Sequence, residues 1–245
     1  METQAIERQR TNRTRDPVSL VAVAGAAALI IAAAWFWLAT KVTVSPAPRF
    51  EPGVAPQQAM RTYYRWQATT LAQERYYTSI GIAGFLCLAI AASYVRDRVG
   101  RDQPPARIGS VLVGAGALVW LTGSILLLGG HRAVGLMATH ANPIQTTNSI
   151  AFTIDTISQA FELATFALIG AGMLALAAAA RRRGFHGWVR YTIVAAVVML
   201  VTAGTYAAGN SSVSDVMLIA SGGAVLPVWL IWASRVGATG KAPVS

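Results

Sequence analysis

Residues 108–130 read IGSVLVGAGALVWLTGSILLLGG, a run of 23 residues without a charged side chain. An α-helix rises about 1.5 Å per residue, so about 20 apolar residues cross a hydrocarbon core of about 30 Å. The stretch therefore predicts a helix that spans a membrane.

Five further stretches, of 17 to 30 residues, are similarly apolar. Across the 245 residues, 54% are hydrophobic and only 12% are charged, whereas about 25% are charged in an ordinary soluble domain. The sequence therefore predicts an all-α integral membrane protein with six transmembrane helices in one domain, residues 18–232. The other five predicted spans are residues 18–40, 76–95, 151–180, 191–208 and 216–232.

The distribution of basic residues predicts the orientation of the helices. With residues 1–17 and 233–245 as cytoplasmic tails, 14 of the 20 Lys and Arg residues fall on the cytoplasmic side. Cytoplasmic loops of membrane proteins carry this excess of positive charge. We therefore expect both termini in the cytoplasm. The Ala-, Gly- and Arg-rich composition favours the cytoplasmic membrane of a bacterium, with the lipid bilayer as the first partner.

The second helix is predicted to begin before its membrane span. Residues 59–80 contain neither proline nor glycine, so a helix can start near Ala59 and continue inward. The fourth helix is also predicted to extend beyond the outer leaflet. Glu162 precedes Arg181 by 19 residues, or about 28 Å along a helix, which is nearly the full thickness of the core.

Asp155 and Glu162 are the most informative residues of the fourth span. They are seven residues apart and therefore share one helix face. An ionisable side chain in a membrane span indicates function, but the predicted depth puts both carboxylates near the outer boundary. This favours a polar outer-face site over a proton relay at the midplane. The candidate ligand or ion-pair residues are Asp155, Glu162, Arg61, Arg65, Arg75 and Arg132.

Two hypotheses about the role of these candidate residues remain open. The side chains could bind a ligand, or the carboxylates could pair with the arginines and fasten the projecting helices together. Carboxylates with histidines can also bind a divalent cation, but the spacing matches no compact metal motif. The metal candidates are His131, His140, Asp155 and Glu162, and no cofactor is indicated.

Glycines recur at every seventh position of the third span. Seven residues are nearly two helical turns, so these glycines form one stripe that allows another helix to approach closely. The partner helix belongs either to this chain or to another subunit of a homo- or hetero-oligomer. The stripe consists of Gly109, Gly116, Gly123 and Gly130.

Three function classes follow from these features. The first is a non-catalytic accessory or binding protein with a polar outer-face site around the fourth helix. The second is a small-solute or ion transporter that uses Asp155 and Glu162. The third is a membrane-embedded enzyme acting on a lipid or through a metal, although no catalytic motif occurs. The net charge of +10 fits the basic cytoplasmic loops, and no module for nucleic-acid binding accompanies it.

Overall fold

The computed structural model describes residues 17–38, 55–139, 144–209 and 211–236. These ranges contain helices and connections and no strand. The α-helices are α1 (Pro17–Trp37), α2 (Pro56–Gly100), α3 (Pro104–Thr139), α4 (Ile144–Arg182), α5 (His186–Ala207), α6 (Ser211–Ala220) and α7 (Leu226–Arg235). A π-helical segment, Ser221–Val225, joins α6 to α7.

Six helical stretches are long and apolar enough to cross a membrane. The prediction of an all-helical protein with six candidate spans is therefore confirmed. The sixth span consists of α6, the π-segment and α7 together. Helices α2, α3 and α4 contain 45, 36 and 39 residues, which is well beyond the length that a bilayer requires.

The connection expected between the third and fourth spans is mostly helical. The predicted spans leave residues 131–150 between the third and the fourth, but α3 continues to Thr139 and α4 begins at Ile144. Gly129 and Gly130 do not end α3, because a glycine weakens a helix without removing its backbone hydrogen bonds. The continuation brings His131 onto a rigid helix beside α2 and α4.

The helices pack as a ring in chain order. Each helix contacts its neighbours along the sequence, and α1 also packs against α7 and the π-segment, which closes the ring. Helix α2 additionally contacts α4 and α7. The apolar core is continuous, and its largest fully buried side chains include Trp229, Phe166, Leu88 and Met173.

The glycine stripe of α3 lies against α4 of the same chain. A Cβ atom added at Gly109 would lie 2.7 Å from the carbonyl oxygen of Gly172, and one added at Gly116 would lie 2.7 Å from Cγ1 of Ile169. Gly123 and Gly130 meet Phe161 and Ile154 in the same way. The close approach that glycine permits is therefore used inside the bundle.

The two ends of the bundle differ in charge. Helices α2, α4 and α7 end, and α3 and α5 begin, at what we call the arginine-rich end. Its basic residues are Arg96, Arg98, Arg101, Arg107, Arg181, Arg182, Arg183, Arg190 and Arg235. The opposite end, which we call the carboxylate end, carries Glu74, Asp155 and Asp215 together with Arg61, Arg65, Arg75 and Arg132.

The π-segment is supported by side chains of α5. The Tyr191 hydroxyl donates a hydrogen bond of 3.0 Å to the carbonyl oxygen of Val225. The hydroxyls of Thr202 and Ser221 are hydrogen-bonded at 2.8 Å in the buried interior. A π-helical turn leaves backbone groups without their usual partners and often occurs at functional sites. Here it forms a wall of the cavity described next.

Candidate ligand cavity and ion-pair cluster

A cavity of about 120 Å³ lies between α1, α2, α3, α4 and the sixth span. An engineered protein cavity of about 150 Å³ holds a benzene molecule, so this one can accommodate a compact ligand of similar size. The lining residues include Leu29, Phe36, Tyr77, Gly81, Phe85, Trp120, Ser124, Ser158, Phe161, Glu162 and Gly222.

Aromatic side chains form much of the wall. The rings of Phe36 and Tyr77 meet edge to face at 5.5 Å, and those of Phe85 and Trp120 stack at 4.5 Å. Tyr77 and Phe85 are eight residues apart on α2, which separates the two pairs by about 12 Å along the helix. The cavity therefore lies between two aromatic layers, of which the Phe85–Trp120 pair is nearer the arginine-rich end.

Glu162 supplies the carboxyl group of the cavity. It is hydrogen-bonded to the hydroxyl of Tyr206 on α5. The carboxylates of Asp155 and Asp215 lie close enough to act electrostatically on Glu162. In the described part of the chain, no basic side chain forms an ion pair with Glu162. The surroundings of this carboxyl group are therefore apolar, aromatic and negative.

Two buried polar atoms of the lining have no hydrogen-bond partner among the described residues. They are the indole Nε1 of Trp120 and the hydroxyl oxygen of Ser158. Buried polar groups in native proteins are nearly always hydrogen-bonded, because an unpaired one costs about 1–3 kcal/mol. The walls of the cavity therefore contain two polar groups whose hydrogen-bonding capacity is unused among the described residues.

An ion-pair cluster lies nearer the carboxylate end. His131 Nδ1 is 2.9 Å and 3.0 Å from the two carboxylate oxygens of Glu74, and Nε2 is 3.4 Å from Oδ1 of Asp155. Both ring nitrogens can donate at once only in the imidazolium form. The side chains of His131 and Glu74 are 11% and 16% exposed, whereas that of Asp155 is 58% exposed. The cluster connects α2, α3 and α4.

An aromatic patch continues beyond the cluster along α2. Tyr64 is buried with Val134, Ala138 and Ile144, and its ring contacts that of Tyr63. Burial first, and then the charges of Asp155 and Glu74, raise the pKa of Tyr63. Its phenol therefore stays protonated at neutral pH. The first part of α2 thus packs against the end of α3 and the start of α4.

The structure places the predicted arginines apart from the cavity. Arg75 and Arg132 are exposed and Arg61 is partly buried. The Nε of Arg65 donates a hydrogen bond of 3.3 Å to the carbonyl oxygen of Ala138. None of the four lines the cavity. Their predicted role as ligand or ion-pair residues remains a prediction.

The predicted metal candidates do not converge. His140 lies outside the described residues. His131 contacts carboxylates on opposite sides of its ring. Glu162 lines the cavity and does not contact His131. Over the described ranges, no group of three His, Cys, Asp or Glu side chains is arranged to hold a metal ion.

Sequence reasoning missed Glu74, Trp120 and Tyr206 as site residues. Trp120 carried a signal, because tryptophan favours the membrane interface and this one lies well inside an apolar span. The partner of Glu162 could not be found in this way, since Tyr206 belongs to a different helix and only the packing of α4 against α5 brings it near.

Comparisons of the chain with protein-family models, with curated proteins and with solved structures find no match. A fold alone does not define a function, so we infer the function from the geometry of the cavity.

Proposed function

We propose that this chain is a membrane binding protein whose small ligand occupies the cavity beside Glu162. The observation that carries the proposal is the combination of an apolar cavity with one carboxyl group and two buried, unpartnered polar atoms. Ligand sites have this composition: mostly apolar and aromatic walls with a few polar groups that orient the ligand. The proposed site shares Glu162 with the predicted outer-face site, but it is a cavity between helices and does not include the predicted arginines.

The proposal includes a membrane frame. We infer that both termini face the cytoplasm of a bacterial cell and that α2 and α4 project beyond the outer leaflet. The excess of arginines at one end of the bundle supports this orientation. Trp120 then lies about 20 Å and Glu162 about 28 Å from the arginine-rich end, measured along α3 from Arg107 and along α4 from Arg181. The ligand would therefore bind in the outer half of the bilayer.

The packing beneath the cavity favours binding over an open pore. On the arginine-rich side of Phe85 and Trp120, the interior is filled by apolar side chains with no exposed surface, including Leu88, Val95 and Leu176. Such an interior is close-packed and excludes a continuous file of water. In this conformation, a ligand in the cavity has no path to the arginine-rich end.

A transporter is the second candidate function, and the π-segment favours it. Gly222 in that segment lines the cavity. Gly223 lies close to α1, because a Cβ atom added at Gly223 would lie 3.1 Å from the Cβ of Ala33. Interrupted helices beside a central site are common in transporters. Ligand-dependent accumulation in proteoliposomes would distinguish this function from binding alone.

The exposed face of α3 is where a partner chain would have to bind, because α4 covers the glycine stripe. Val111, Leu118 and Ile125 are large, exposed and spaced at seven residues. Contact with lipid explains such a face equally well, so oligomerisation through the third helix remains a proposal.

Substitution of Gly81 by leucine is expected to abolish ligand binding. A Cβ at this position would lie 3.7 Å from the Ala32 Cβ and 3.9 Å from the Trp120 Nε1, both ordinary contacts. The remaining carbons then extend into a space of about 120 Å³. Filling a cavity commonly stabilises a protein by about 0.5–2 kcal/mol, so the variant should fold. Binding of the neutral alcohol 3,3-dimethylbutan-1-ol can be followed by ligand-observed NMR.

The matched control is Gly114→Leu on α3, where an added Cβ meets no atom within 4 Å. This variant should bind the alcohol like the wild type. The proposed function would be contradicted if Gly81→Leu bound the alcohol as well as Gly114→Leu does, or if the wild type bound neither this alcohol nor its cationic counterpart, choline.

A further inference from the structure

The cavity combines a carboxyl group with a lining rich in aromatic rings. Four rings of the lining belong to Phe36, Tyr77, Phe85 and Trp120. The faces of such rings attract cations, and the attraction reaches about 2 kcal/mol or more where water is excluded. Aromatic rings grouped around one site are the arrangement that binds quaternary ammonium groups, in which the positive charge is spread over an apolar surface.

The charged groups that act on Glu162 and Tyr77 are carboxylates. Glu162 lies within electrostatic range of Asp155 and Asp215, and Tyr77 within range of Glu74, Glu162 and Asp215. His131 is positioned between Glu74 and Asp155, so its charge is directed at those two carboxylates. A buried carboxylate is strongly destabilised unless it takes up a proton or a positive charge compensates it. A cationic ligand would supply that charge to Glu162.

Resting on the proposed function, we propose that the cavity beside Glu162 binds a small organic cation of the ammonium type. The six non-hydrogen atoms of benzene occupy a cavity of about 150 Å³, so a cavity of about 120 Å³ holds about five, as many as the trimethylammonium group of choline and its first methylene carbon.

Choline and 3,3-dimethylbutan-1-ol test this assignment directly. The two molecules have the same shape and the same hydroxyl group. The quaternary nitrogen of choline is replaced by a carbon atom in the alcohol. Both are titrated into the purified protein in a maltoside detergent, which contains no choline headgroup. We expect the wild type to bind choline at least about 30-fold more tightly than the alcohol, because a buried charge pair is worth about 2–5 kcal/mol and each 1.4 kcal/mol is tenfold.

The variant Glu162→Gln keeps the shape of the side chain and removes its charge. We expect it to lose about 30-fold in affinity for choline and to bind the neutral alcohol within about 3-fold of the wild type. The alcohol thus reports that the variant and its cavity are intact. Asp97→Asn is the control, because it removes an exposed carboxylate at the arginine-rich end, far from the cavity, and its choline affinity should change by less than about 3-fold.

Phosphocholine separates a free cation from a lipid headgroup, since it presents the same trimethylammonium group beside a phosphate. The carboxylate of Glu162 should repel that phosphate, which also enlarges a ligand that must fit about 120 Å³, so we expect binding at least about 10-fold weaker than that of choline. Tighter binding of phosphocholine would overturn the assignment to a free cation.

The remaining outcomes separate the two proposals. Equal binding of choline and the alcohol, unaffected by Glu162→Gln, would overturn the cation assignment and leave the binding function intact. If the wild type bound neither compound, both the assignment and the proposed function would fail.

Discussion

Gly172→Leu is expected to prevent the bundle from packing normally. A Cβ at Gly172 would lie 2.7 Å from the carbonyl oxygen of Gly109, 2.8 Å from the Val113 Cγ2 and 2.9 Å from the Val113 backbone nitrogen. Two of these atoms are backbone, so a rotamer change cannot make room and the two helices must separate. We expect a loss of about 3 kcal/mol, the upper end for overpacking, and a fall in the apparent unfolding temperature of about 6–12 °C.

The control for this prediction is again Gly114→Leu. It adds the same side chain to α3, one of the two helices in this contact, where no atom lies within 4 Å of the new Cβ. Its apparent unfolding temperature, measured in the same detergent, should lie within about 2 °C of the wild type, since a change at an open site is usually within about 0.5 kcal/mol. Equal destabilisation by both variants would mean that α3 and α4 do not meet along the glycine stripe.

His131→Ala is expected to have the second-largest effect on stability. The substitution removes the cation between Glu74 and Asp155 and leaves the 16%-exposed side chain of Glu74 without its partner. Loss of one member of a fully buried pair costs about 3–5 kcal/mol. Because Asp155 is open to solvent, we expect about 2 kcal/mol here, or about 4–8 °C in apparent unfolding temperature.

Arg132→Ala is the matched control for the cluster. It removes a positive charge from the adjacent, exposed position and should change stability by less than about 0.5 kcal/mol. The double variant His131→Leu with Glu74→Leu should recover most of the lost stability, because an apolar pair can replace a buried ion pair without a net cost. If Arg132→Ala destabilised the protein as much as His131→Ala, general charge rather than this contact would be responsible.

The local pattern of the sequence was sufficient to predict the helices. A span such as residues 108–130 can be predicted from its own residues alone, since a long uncharged apolar run has few stable structures in lipid other than a helix. The glycine stripe likewise showed which face of α3 permits a close helix contact. Neither pattern identified the partner helix, because that choice depends on the complementary surface of α4, where Gly172 lies opposite Gly109.

The cavity could not be predicted, because it is a property of five segments at once. Asp155 and Glu162 share a face of α4, and from one helix they appear equivalent. Packing then separates them: Asp155 lies beside His131 at the carboxylate end, while Glu162 lines the cavity with Tyr77 and Trp120. A depth calculated along a single helix gives the height of a residue but does not tell whether neighbouring helices enclose it.

The most direct test of the ligand cavity is to locate a bound ligand in crystals grown from lipid. (2-Bromoethyl)trimethylammonium has the shape of choline, and its bromine gives an anomalous signal. We predict a bromine peak inside the cavity between Glu162 and Trp120 in wild-type crystals and none there in Gly81→Leu crystals. A peak only on the protein surface, no peak at all, or the same cavity peak in Gly81→Leu would contradict the account.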